Sequence, residues 1–535
     1  MNTFYIDKTK GTFSDELLAA GFIRLLEALL AQQGHATPSI NQIDHGHYYK
    51  VVCTPPLDLT RVETETQPFA LVPIVRTVKN AKKLSDLPPS PVYVIDYDKE
   101  RDQRGAYFTA FKDLEKSAKA AWAKGEDHPA FASMPPDPHR DWDIFRLLNP
   151  MALIGYNSLM VQWYKIGQAG QIGALCKLTC ELFAQTPNKV TATIQTRKSL
   201  AKEHNWLVVA TASQFFNPSQ GKGINKPLPN GVGLGNLKNF WLLEWLKAVG
   251  FYQIGITRLM KGVKDRKTYV PSVGRSDLIA QRDVYNLFRK RMPFAESAVR
   301  SDILTVIRYV LALIDHVEAA QAAAPTKQEL TWLTMLGEQW RPADFVHGFH
   351  TVFYKDLGNA VTTMNISFLN LPNWIELRQP EDRAIYTAIL EEYEQIVRQF
   401  AENKGEEIDL LQQFRDFIVA DNLDPFFEFT TAYSSWLISQ GEKKGGFPPR
   451  RLNVNNLRRL IMSSEPALSP ILESKGFQNV AYAIRQSTVT AQYKRKQGDR
   501  RYDVRYGLGR DLVRQSQYSA EFVAALSDFM HKYNA

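Results

Sequence analysis

Hydrophobic positions near the C-terminal end of the chain recur at helical spacing in two separate stretches. The first stretch contains Phe477, Val480, Ala481, Ile484 and Ala491, and the second contains Phe522, Val523, Leu526, Phe529, Met530 and Tyr533. Spacings of three and four residues are typical of an amphipathic helix that buries one apolar stripe. We therefore expect two helices whose stripes pack against each other or against a third helix.

The same periodicity extends through the residues that precede these two stretches. It predicts helices at 384–400, 408–419, 426–438 and 457–462, after proline-containing breaks at Pro372 and Pro380. Several consecutive amphipathic helices joined by short loops are typical of a helical bundle. We place a domain boundary at residue 375 and predict a helical bundle over residues 376–535.

The first 375 residues show a mixed pattern. A short strand at 4–6 leads into a helix with Ser14 as its cap and Asp15 and Glu16 in its first turn, where acidic side chains match the helix dipole. Runs rich in β-forming residues predict strands at 44–53, 69–75, 92–97, 190–194, 206–212 and 359–373. Strands and helices do not alternate regularly, which argues against a doubly wound nucleotide-binding fold. We predict an α+β protein with a large mixed domain, 1–375, before the bundle.

Positive charge is concentrated in two regions. The 535 residues include 65 Lys+Arg and 56 Asp+Glu, a net charge of +9. Residues 441–535 hold 17 basic and 8 acidic side chains, and residues 217–291 hold 14 and 4, so the rest of the chain is acidic. Clustered positive charge is typical of proteins that bind nucleic acid or another polyanion. The alternative is that each basic run is only a solvated face.

A glycine-rich segment opens the first of these regions. Residues 217–240 contain five glycines and three prolines, too many for a helix or a central strand. We therefore predict a long loop. Loops of this length inside a domain are usually either functional or disordered. Its lysines can hold phosphates and its amides can read base edges, while glycine lets the backbone approach closely.

Enzyme and metal signatures are absent from the sequence. There is no P-loop motif and no G-x-S-x-G elbow, and Gly231, Gly233 and Gly235 do not match the dinucleotide fingerprint. Arg146 stands where the kinase-like run His139-Arg140-Asp141 would need Asn. His45, His47, His347 and His350 lack a carboxylate or cysteine at ligand spacing, so we expect structural or surface histidines. No catalytic residue, metal or cofactor is predicted. A stand-alone nucleic-acid-processing enzyme such as a nuclease remains the alternative, because catalytic residues need not be neighbours in sequence.

The cysteines and apolar runs indicate the compartment. Cys176 and Cys180 lie on an apolar helical pattern and are predicted to be a reduced pair in a core, and Cys53 has no nearby partner. The longest apolar run, 303–314, is interrupted by Arg308 and is shorter than the roughly 20 residues that span a membrane. The first ten residues do not resemble a secretory signal. We expect a cytoplasmic protein with no membrane partner.

Three motifs follow one another in the last sixty residues. They are Ala483-Ile484-Arg485-x-Ser487-Thr488, Arg505-Tyr506-Gly507-Leu508 and Phe522…Leu526…Phe529…Tyr533-Asn534. With these motifs, residues 477–534 resemble the closing segment of the large subunit of type I CRISPR surveillance complexes (Cascade), subtypes A and B in particular. Two stretches agree more loosely. They are the N-terminal strand and helix with Gly21, and residues 241–270, which are similar to the family's K-x-x-G…K-D-K-x-x-V.

The resemblance implies a non-catalytic subunit of an RNA-guided DNA-targeting complex. Such a subunit contacts the 5′ end of the guide RNA, recognises the short motif that flanks the target, and stabilises the opened target DNA. Its partners would be the guide RNA, double-stranded target DNA, and the backbone and other Cascade subunits. A separate helicase-nuclease or transposition proteins would act afterwards, in antiviral defence or in target selection for a transposon. The C-terminal bundle would resemble a small subunit.

Three groups of side chains are predicted to bind nucleic acid. The loop contributes Gln220, Lys222, Asn225, Lys226, Asn230 and Asn236, and the cluster that follows contributes Lys261, Lys264, Arg266 and Lys267. The C-terminal group is Arg485, Lys494, Arg495, Lys496, Arg500, Arg501 and Arg505. The alternatives are a disordered surface loop for the first group and a solvated face for the last. Arg505 and Tyr506 could instead fix a turn of the bundle.

Overall fold

The structure of the protein is a computed structural model. It describes residues 1–64, 68–77, 94–124, 126–137, 150–185, 198–199, 201–206, 209–219, 238–292, 295–322, 340–358, 361–442, 449–499, 501 and 503–534. Helices and antiparallel sheets occur together, with a helical C-terminal region, so the predicted α+β class is confirmed. Contacts divide the chain into two units. The first comprises Met1–Glu296, Ala312–Gly337 and Ala343–Asn370, and the second comprises Ser297–Leu311, Glu338–Pro342 and Leu371–Ala535.

The strands belong to the first unit. They are β1 (Thr3–Asp7), β2 (Ser39–Asp44), β3 (Tyr48–Thr54), β4 (Ile74–Arg76), β5 (Val94–Asp96), β6 (Ala210–Thr211), β7 (Lys238–Asn239), β8 (Ile256–Leu259), β9 (Arg266–Val273), β10 (Arg275–Asp277), β11 (Val346–Asp356) and β12 (Val361–Asn370). One sheet has the order β1-β3-β2-β10 and a second has the order β12-β11-β9-β8, both antiparallel. Two short pairs, β4-β5 and β6-β7, complete the described strands.

Helices α1 to α10 lie between strands β1 and β11 in the sequence. They are α1 (Phe13–Gln32), α2 (Leu59–Thr64), α3 (Tyr97–Asp113), α4 (Lys116–Lys124), α5 (Pro150–Gln168), α6 (Ile172–Ala184), α7 (Trp241–Ile254), α8 (Leu278–Arg291), α9 (Ala298–Ala322) and α10 (Pro342–Phe345). The cap of α1 is Thr12, whose hydroxyl accepts from the Ser14 amide, rather than the predicted Ser14. The Ser14 hydroxyl instead donates to the Phe216 carbonyl at 2.6 Å.

Two glycines allow α1 and α7 to cross at backbone contact. A Cβ atom on Gly21 would lie 1.8 Å from the Leu246 carbonyl oxygen, and one on Gly250 would lie 1.9 Å from the Leu17 carbonyl oxygen. No side chain fits at either position without moving a helix. The buried leucines and aromatic residues of both helices form the centre of the first unit's core. The helix crossing therefore fixes the position of α7, which begins where the glycine-rich segment ends.

The predicted strands are confirmed in part. Of the prediction at 44–53, residues 48–53 belong to β3, Asp44 is the last residue of β2, and a turn at 45–47 lies between the two strands. Within the described residues, β4, β5 and β6 overlap the predictions at 69–75, 92–97 and 206–212, and β12 overlaps the prediction at 359–373, whereas 190–194 lies outside the described residues. The sequence analysis missed β11, although its buried Phe349, Val352 and Tyr354 are typical strand residues.

The second unit is a helical bundle. Its helices are α11 (Pro380–Val397), α12 (Gly405–Ile418), α13 (Asp424–Glu442), α14 (Val454–Ser464), α15 (Ser469–Glu473), α16 (Lys475–Arg485), α17 (Ala491–Lys496), α18 (Leu508–Gln515) and α19 (Ser519–Asn534). The predictions at 384–400, 408–419, 426–438 and 457–462 match α11 to α14. The bundle also includes the first half of α9, which lies upstream of the boundary placed at residue 375.

Ion pairs and a helix cap bind α9 to the bundle. The Glu402 carboxylate accepts the amide hydrogens of Ala298, Val299 and Arg300 at 2.9 to 3.1 Å. The buried Arg308 guanidinium pairs with Glu394 at 2.9 Å. These groups satisfy the unpaired amides at the start of α9 and neutralise a buried charge. The second unit therefore depends on residues far upstream of its main segment.

The predicted cysteine core is confirmed. Cys53, Cys176 and Cys180 are buried and free, and burial raises the pKa of the Cys180 thiol to about 12. These thiols are therefore packing groups and not nucleophiles. Among the described residues, no helix combines the length and the apolar character needed to cross a bilayer.

Candidate nucleic-acid interface

A continuous helical rod carries four of the C-terminal basic residues. It consists of α16, a π-helical turn (Gln486–Thr490) and α17. Arg485, Lys494, Arg495 and Lys496 are all exposed, and the last three lie in the final turn of α17, where cations interact favourably with the helix dipole. Tyr482 and Tyr493 on the same rod are 59% and 62% exposed. We call these four basic and two aromatic residues the C-terminal basic surface.

Cations and exposed aromatic rings are the two contacts that hold single-stranded nucleic acid. Lysine and arginine neutralise phosphates, whereas a tyrosine face stacks on a base of any kind. Tyr482 and Tyr493 present exposed rings beside these cations. The C-terminal basic surface can therefore bind a phosphate backbone and stack on bases.

Arg501 lies beside this surface and is paired. Its guanidinium donates to both carboxylate oxygens of Asp499 at 2.9 and 2.8 Å, while remaining 76% exposed. The hydrogen bond from the Arg501 side chain is the main reason why the pKa of Asp499 falls to about 2. Arg501 can reach a phosphate only in competition with this carboxylate. Arg500 lies outside the described residues.

Arg505 joins the three C-terminal motifs. Its amide donates to the Ser487 carbonyl at 3.0 Å, and its guanidinium lies 5.4 Å from the centre of the Phe529 ring. Ser487, Arg505 and Phe529 belong to the first, second and third motif respectively. A cation over an aromatic face is a stabilising contact, so this geometry favours the alternative in which Arg505 fixes a turn of the bundle.

The apolar stripes of the terminal helices are only partly covered. Helices α16 and α19 contact each other as predicted, and Ala491 and Phe529 are buried. Phe477 and Val523, however, are 42% and 64% exposed. The stripes are therefore longer than the contact between the two helices.

A β-hairpin presents Lys261 and Lys264. These residues lie in the turn between β8 and β9, both exposed, and Gly262 adopts the positive φ of +81° that the turn requires. Asp265 fixes the base of the hairpin, because its carboxylate accepts from the Lys355 ammonium at 2.9 Å and the Asp356 amide at 3.0 Å. The hairpin tip therefore offers two cations on a rigid support.

Arg266 and Lys267 lie inside the first unit and not on its surface. Arg266 pairs with Asp356 at 3.3 Å, and its burial lowers the pKa of the guanidinium. Lys267 is 8% exposed, with its ammonium 5.9 Å from the centre of the Tyr269 ring. Their positions on β9 favour a structural role over the predicted contact with nucleic acid.

The predicted loop contacts Gln220, Lys222, Asn225, Lys226, Asn230 and Asn236 lie outside the described residues. Both ends of their segment are described. Strand β6 pairs with β7, which places Thr211 opposite Lys238 and Ala210 opposite Asn239. Sequence analysis missed the polar group beside this pair, which we call the loop-base network. It consists of the buried Asn217, Glu244 and Lys247 and the half-buried Asn239.

The histidines singled out in the sequence do not assemble a metal site. His45 stacks on Tyr48, and His350 lies 3.7 Å from Glu16 and edge-on to Phe368. In the part of the chain that the structure describes, no group of three or more His, Cys, Asp or Glu could hold a metal ion.

No protein-family model matches the chain, and a search of curated proteins found no significant match.

Proposed function

We propose that the protein is a non-catalytic, nucleic-acid-binding subunit of an RNA-guided DNA-targeting complex of the Cascade type. The observation that carries this proposal is the C-terminal basic surface, where four exposed cations accompany two exposed tyrosines on one helical rod. Cations and stacking platforms together suit a nucleic acid better than a small anion or a lipid headgroup. In this role the chain works in the cytoplasm with a guide RNA, target DNA and repeating backbone subunits.

The contacts between the terminal motifs support the same proposal. The motifs that resemble the Cascade large subunit are separated in sequence, yet Arg505 contacts the other two through Ser487 and Phe529. Residues that meet in space form one structural element, so their joint occurrence is easier to explain by a shared architecture than by chance similarity. In this proposal Lys261 and Lys264 on the hairpin tip bind phosphates of the guide end or of the DNA beside the target.

Copurification and cleavage assays test the proposal. The chain is expressed together with its neighbouring genes, isolated through a tag on the chain itself, and treated with phenol to release bound RNA. We expect a guide RNA of uniform length and stoichiometric partner subunits. Isolation without any nucleic acid would contradict the proposal.

The purified chain is then incubated alone with single-stranded and duplex DNA in the presence of Mg²⁺ or Mn²⁺. We expect intact DNA, because a non-catalytic subunit leaves cleavage to another protein. Metal-dependent cleavage that copurifies with the chain through two further columns would instead favour a stand-alone nuclease.

A further inference from the structure

The π-helical turn at Gln486–Thr490, which we call the π-turn, interrupts the rod that carries the C-terminal basic surface. The Ala491 amide donates to the Gln486 carbonyl, five positions back, whereas an α-helix bonds four positions back. The π-turn therefore takes up one extra residue. The Arg505 backbone contacts it from outside the rod, since the Arg505 amide donates to the Ser487 carbonyl at 3.0 Å.

The extra residue changes which side chains share one face of the rod. Tyr493 follows Arg485 by eight positions. Each residue of an α-helix turns the chain by about 100°, so in an unbroken α-helix Tyr493 would lie about 80° from Arg485 around the axis. Because the π-turn takes up one position, the other seven make about two full turns. Tyr493 therefore lies in line with Arg485.

Tyr482 belongs to the same face. It precedes Arg485 by three positions, which places the two side chains within about 60° of each other around the axis. The two tyrosines lie about 15 Å apart along the rod, with Arg485 between them, and all three side chains are exposed. The neighbour of Tyr493, Gln492, is buried instead, and its side-chain amide donates to the Ile438 carbonyl on α13.

The alternative is that the π-turn serves packing alone. Helix α16 contacts α19 and α17 contacts α13, so the rod has a different neighbour on each side of the turn. The sequence of the turn, QSTVT, contains no glycine or proline that would break an α-helix. Turns of this kind are rare and are frequent at functional sites. A role in packing and a role in binding differ in one respect, because only the second makes ligand affinity depend on the turn.

The shared face fits a single strand better than a duplex. A tyrosine ring stacks on the face of a base, and in a duplex the neighbouring bases cover that face. A separation of about 15 Å corresponds to about four stacked nucleotides at about 3.4 Å each. The two rings therefore contact bases that are several nucleotides apart, and the Arg485 guanidinium lies where a phosphate between those bases would pass.

We propose that the π-turn is a positioning element for single-stranded nucleic acid. It brings Tyr482, Arg485 and Tyr493 into one line of contacts, in which the rings stack on two bases and the guanidinium binds a phosphate between them. This inference rests on the proposed function and deepens it, since it names the class of ligand and the backbone feature that aligns the contacts.

The first experiment tests the line of contacts in the full chain. The probes are a labelled oligodeoxythymidine and the same strand annealed to its complement. Tyr482→Leu and Tyr493→Leu should each weaken binding of the single strand about tenfold, within the range for one stacked base, and leave the salt dependence unchanged. Arg485→Gln should instead reduce the slope of log affinity against log salt by about 0.7. The matched control is Tyr518→Leu, because Tyr518 is 64% exposed and lies outside the rod.

The second experiment tests the π-turn itself. Deletion of Val489 removes the extra residue and turns α17 by about 100° relative to α16. The deletion also separates Gln492 from Ile438, so the control is Gln492→Ala, which loses the same hydrogen bond but keeps the turn. We expect the deletion to weaken binding of the single strand as much as Tyr493→Leu does. Gln492→Ala should bind as the wild type does, although both variants unfold at a lower urea concentration.

The outcomes separate this inference from the proposed function. Wild-type binding by both tyrosine variants, or an equal loss in Tyr518→Leu, would overturn the line of contacts. Equal affinity of the wild type for the two probes would overturn the assignment to single strands. A deletion variant that binds as the wild type does, or that loses the cooperative unfolding that Gln492→Ala retains, would assign the π-turn to the fold. These results leave the proposed function standing, whereas a wild-type chain that binds neither probe would contradict it.

Discussion

The two basic regions of the chain look alike in sequence and differ in the structure. In the first region, Lys247, Arg258 and Lys267 are buried, and Arg266 pairs with Asp356. Arg282 and Arg291, farther along, pair with Glu27 and Asp315. In the C-terminal region, Arg485, Arg495 and Lys496 are exposed and form no ion pair with any residue that the structure describes. The two regions therefore contain similar numbers of basic residues, but several of these side chains lie in the interior in the first region, whereas in the second they form an accessible surface.

The difference follows from the packing around each region. Strand β9 lies beside β11, so Arg266 meets a carboxylate from a distant part of the chain. Helices such as α16 and α17 bring together residues three and four positions apart, and few acidic residues lie at those spacings there. Arg282 and Arg291 lie on helix α8 and still meet carboxylates on other helices, so the packing around a region, and not the type of element, decides which cations stay accessible.

The largest expected effect is on Lys247, a cation of the interior. Lys247→Met keeps the volume but leaves the Glu244 carboxylate buried without its counter-charge, which should cost about 3–5 kcal/mol of unfolding free energy. The measurement is urea-induced unfolding followed by tryptophan fluorescence. Lys496→Met is the matched control from the exposed region and should change stability by less than about 0.5 kcal/mol. Equal effects of the two substitutions would show that the contrast between the regions is false.

The second effect concerns Asp15, whose carboxyl lies beside the loop-base network. Burial raises the pKa of Asp15 from 3.8 to about 6, because the charged form loses water. The folded pKa is the higher one, so the stability that protonation provides is complete below pH 3.8 and is lost as the pH rises through about 6. Two pKa units correspond to at most about 3 kcal/mol.

Asp15→Asn should remove this pH dependence. The variant keeps an oxygen that can accept from the Gly11 amide, as Asp15 does at 2.8 Å, but carries no charge. We expect the wild type to lose stability relative to the variant between pH 4 and pH 7, as measured by thermal unfolding at a series of pH values. Parallel profiles for the two proteins would contradict the raised pKa.

The third effect concerns binding, not stability. Lys494→Gln, Arg495→Gln and Lys496→Gln combined should reduce the slope of log affinity against log salt by about 2–3, because each lost phosphate contact removes about 0.7–0.9. The probe is a labelled single-stranded DNA. The control replaces Arg378, Arg398 and Lys404 by glutamine, which removes the same charge from residues paired with Glu376, Glu394 and Glu407. Equal slopes for the two triple variants would return the C-terminal residues to the solvated-face interpretation.

The helices were the predictable part of this fold. The predicted helices of the bundle match α11 to α14, and the buried Cys176 and Cys180 match their apolar pattern, because helical periodicity is local. The part that α9 contributes to the bundle could not be inferred, since its contacts with Glu402 and Glu394 join residues 103 and 86 positions apart. Gly21 was noted for its resemblance alone, and its backbone contact with α7 has no signal in the sequence.

The candidate site was predictable to a similar degree. Arg485, Lys494, Arg495 and Lys496 are exposed, as both the predicted phosphate contacts and the solvated-face alternative require, whereas Arg266 and Lys267 take part in long-range packing. The loop-base network gave no signal at all, because Glu244 and Lys247 resemble an ordinary pair on an exposed helix face until α1 covers them. Asn217 was identified only as the first residue of the glycine-rich segment.

The smallest effect concerns Arg501, which pairs with Asp499 and is still exposed enough to bind a phosphate. Its bond to Asp499 holds the pKa of that carboxyl at about 2, below the usual 3.8. Arg501→Gln should therefore raise the pKa of Asp499 toward 3.8, as measured by ¹³C NMR titration of labelled aspartate carboxyls. The folded pKa is the lower one, so the stability from this pair is present above pH 3.8 and is lost as the pH falls toward 2.

If Arg501 also binds phosphate, saturating single-stranded DNA should raise the pKa of Asp499 in the same direction, because the guanidinium cannot donate to both anions with the same two N–H groups. An Asp499 pKa that the DNA leaves unchanged would assign Arg501 to the fold and leave the C-terminal basic surface as the candidate for binding.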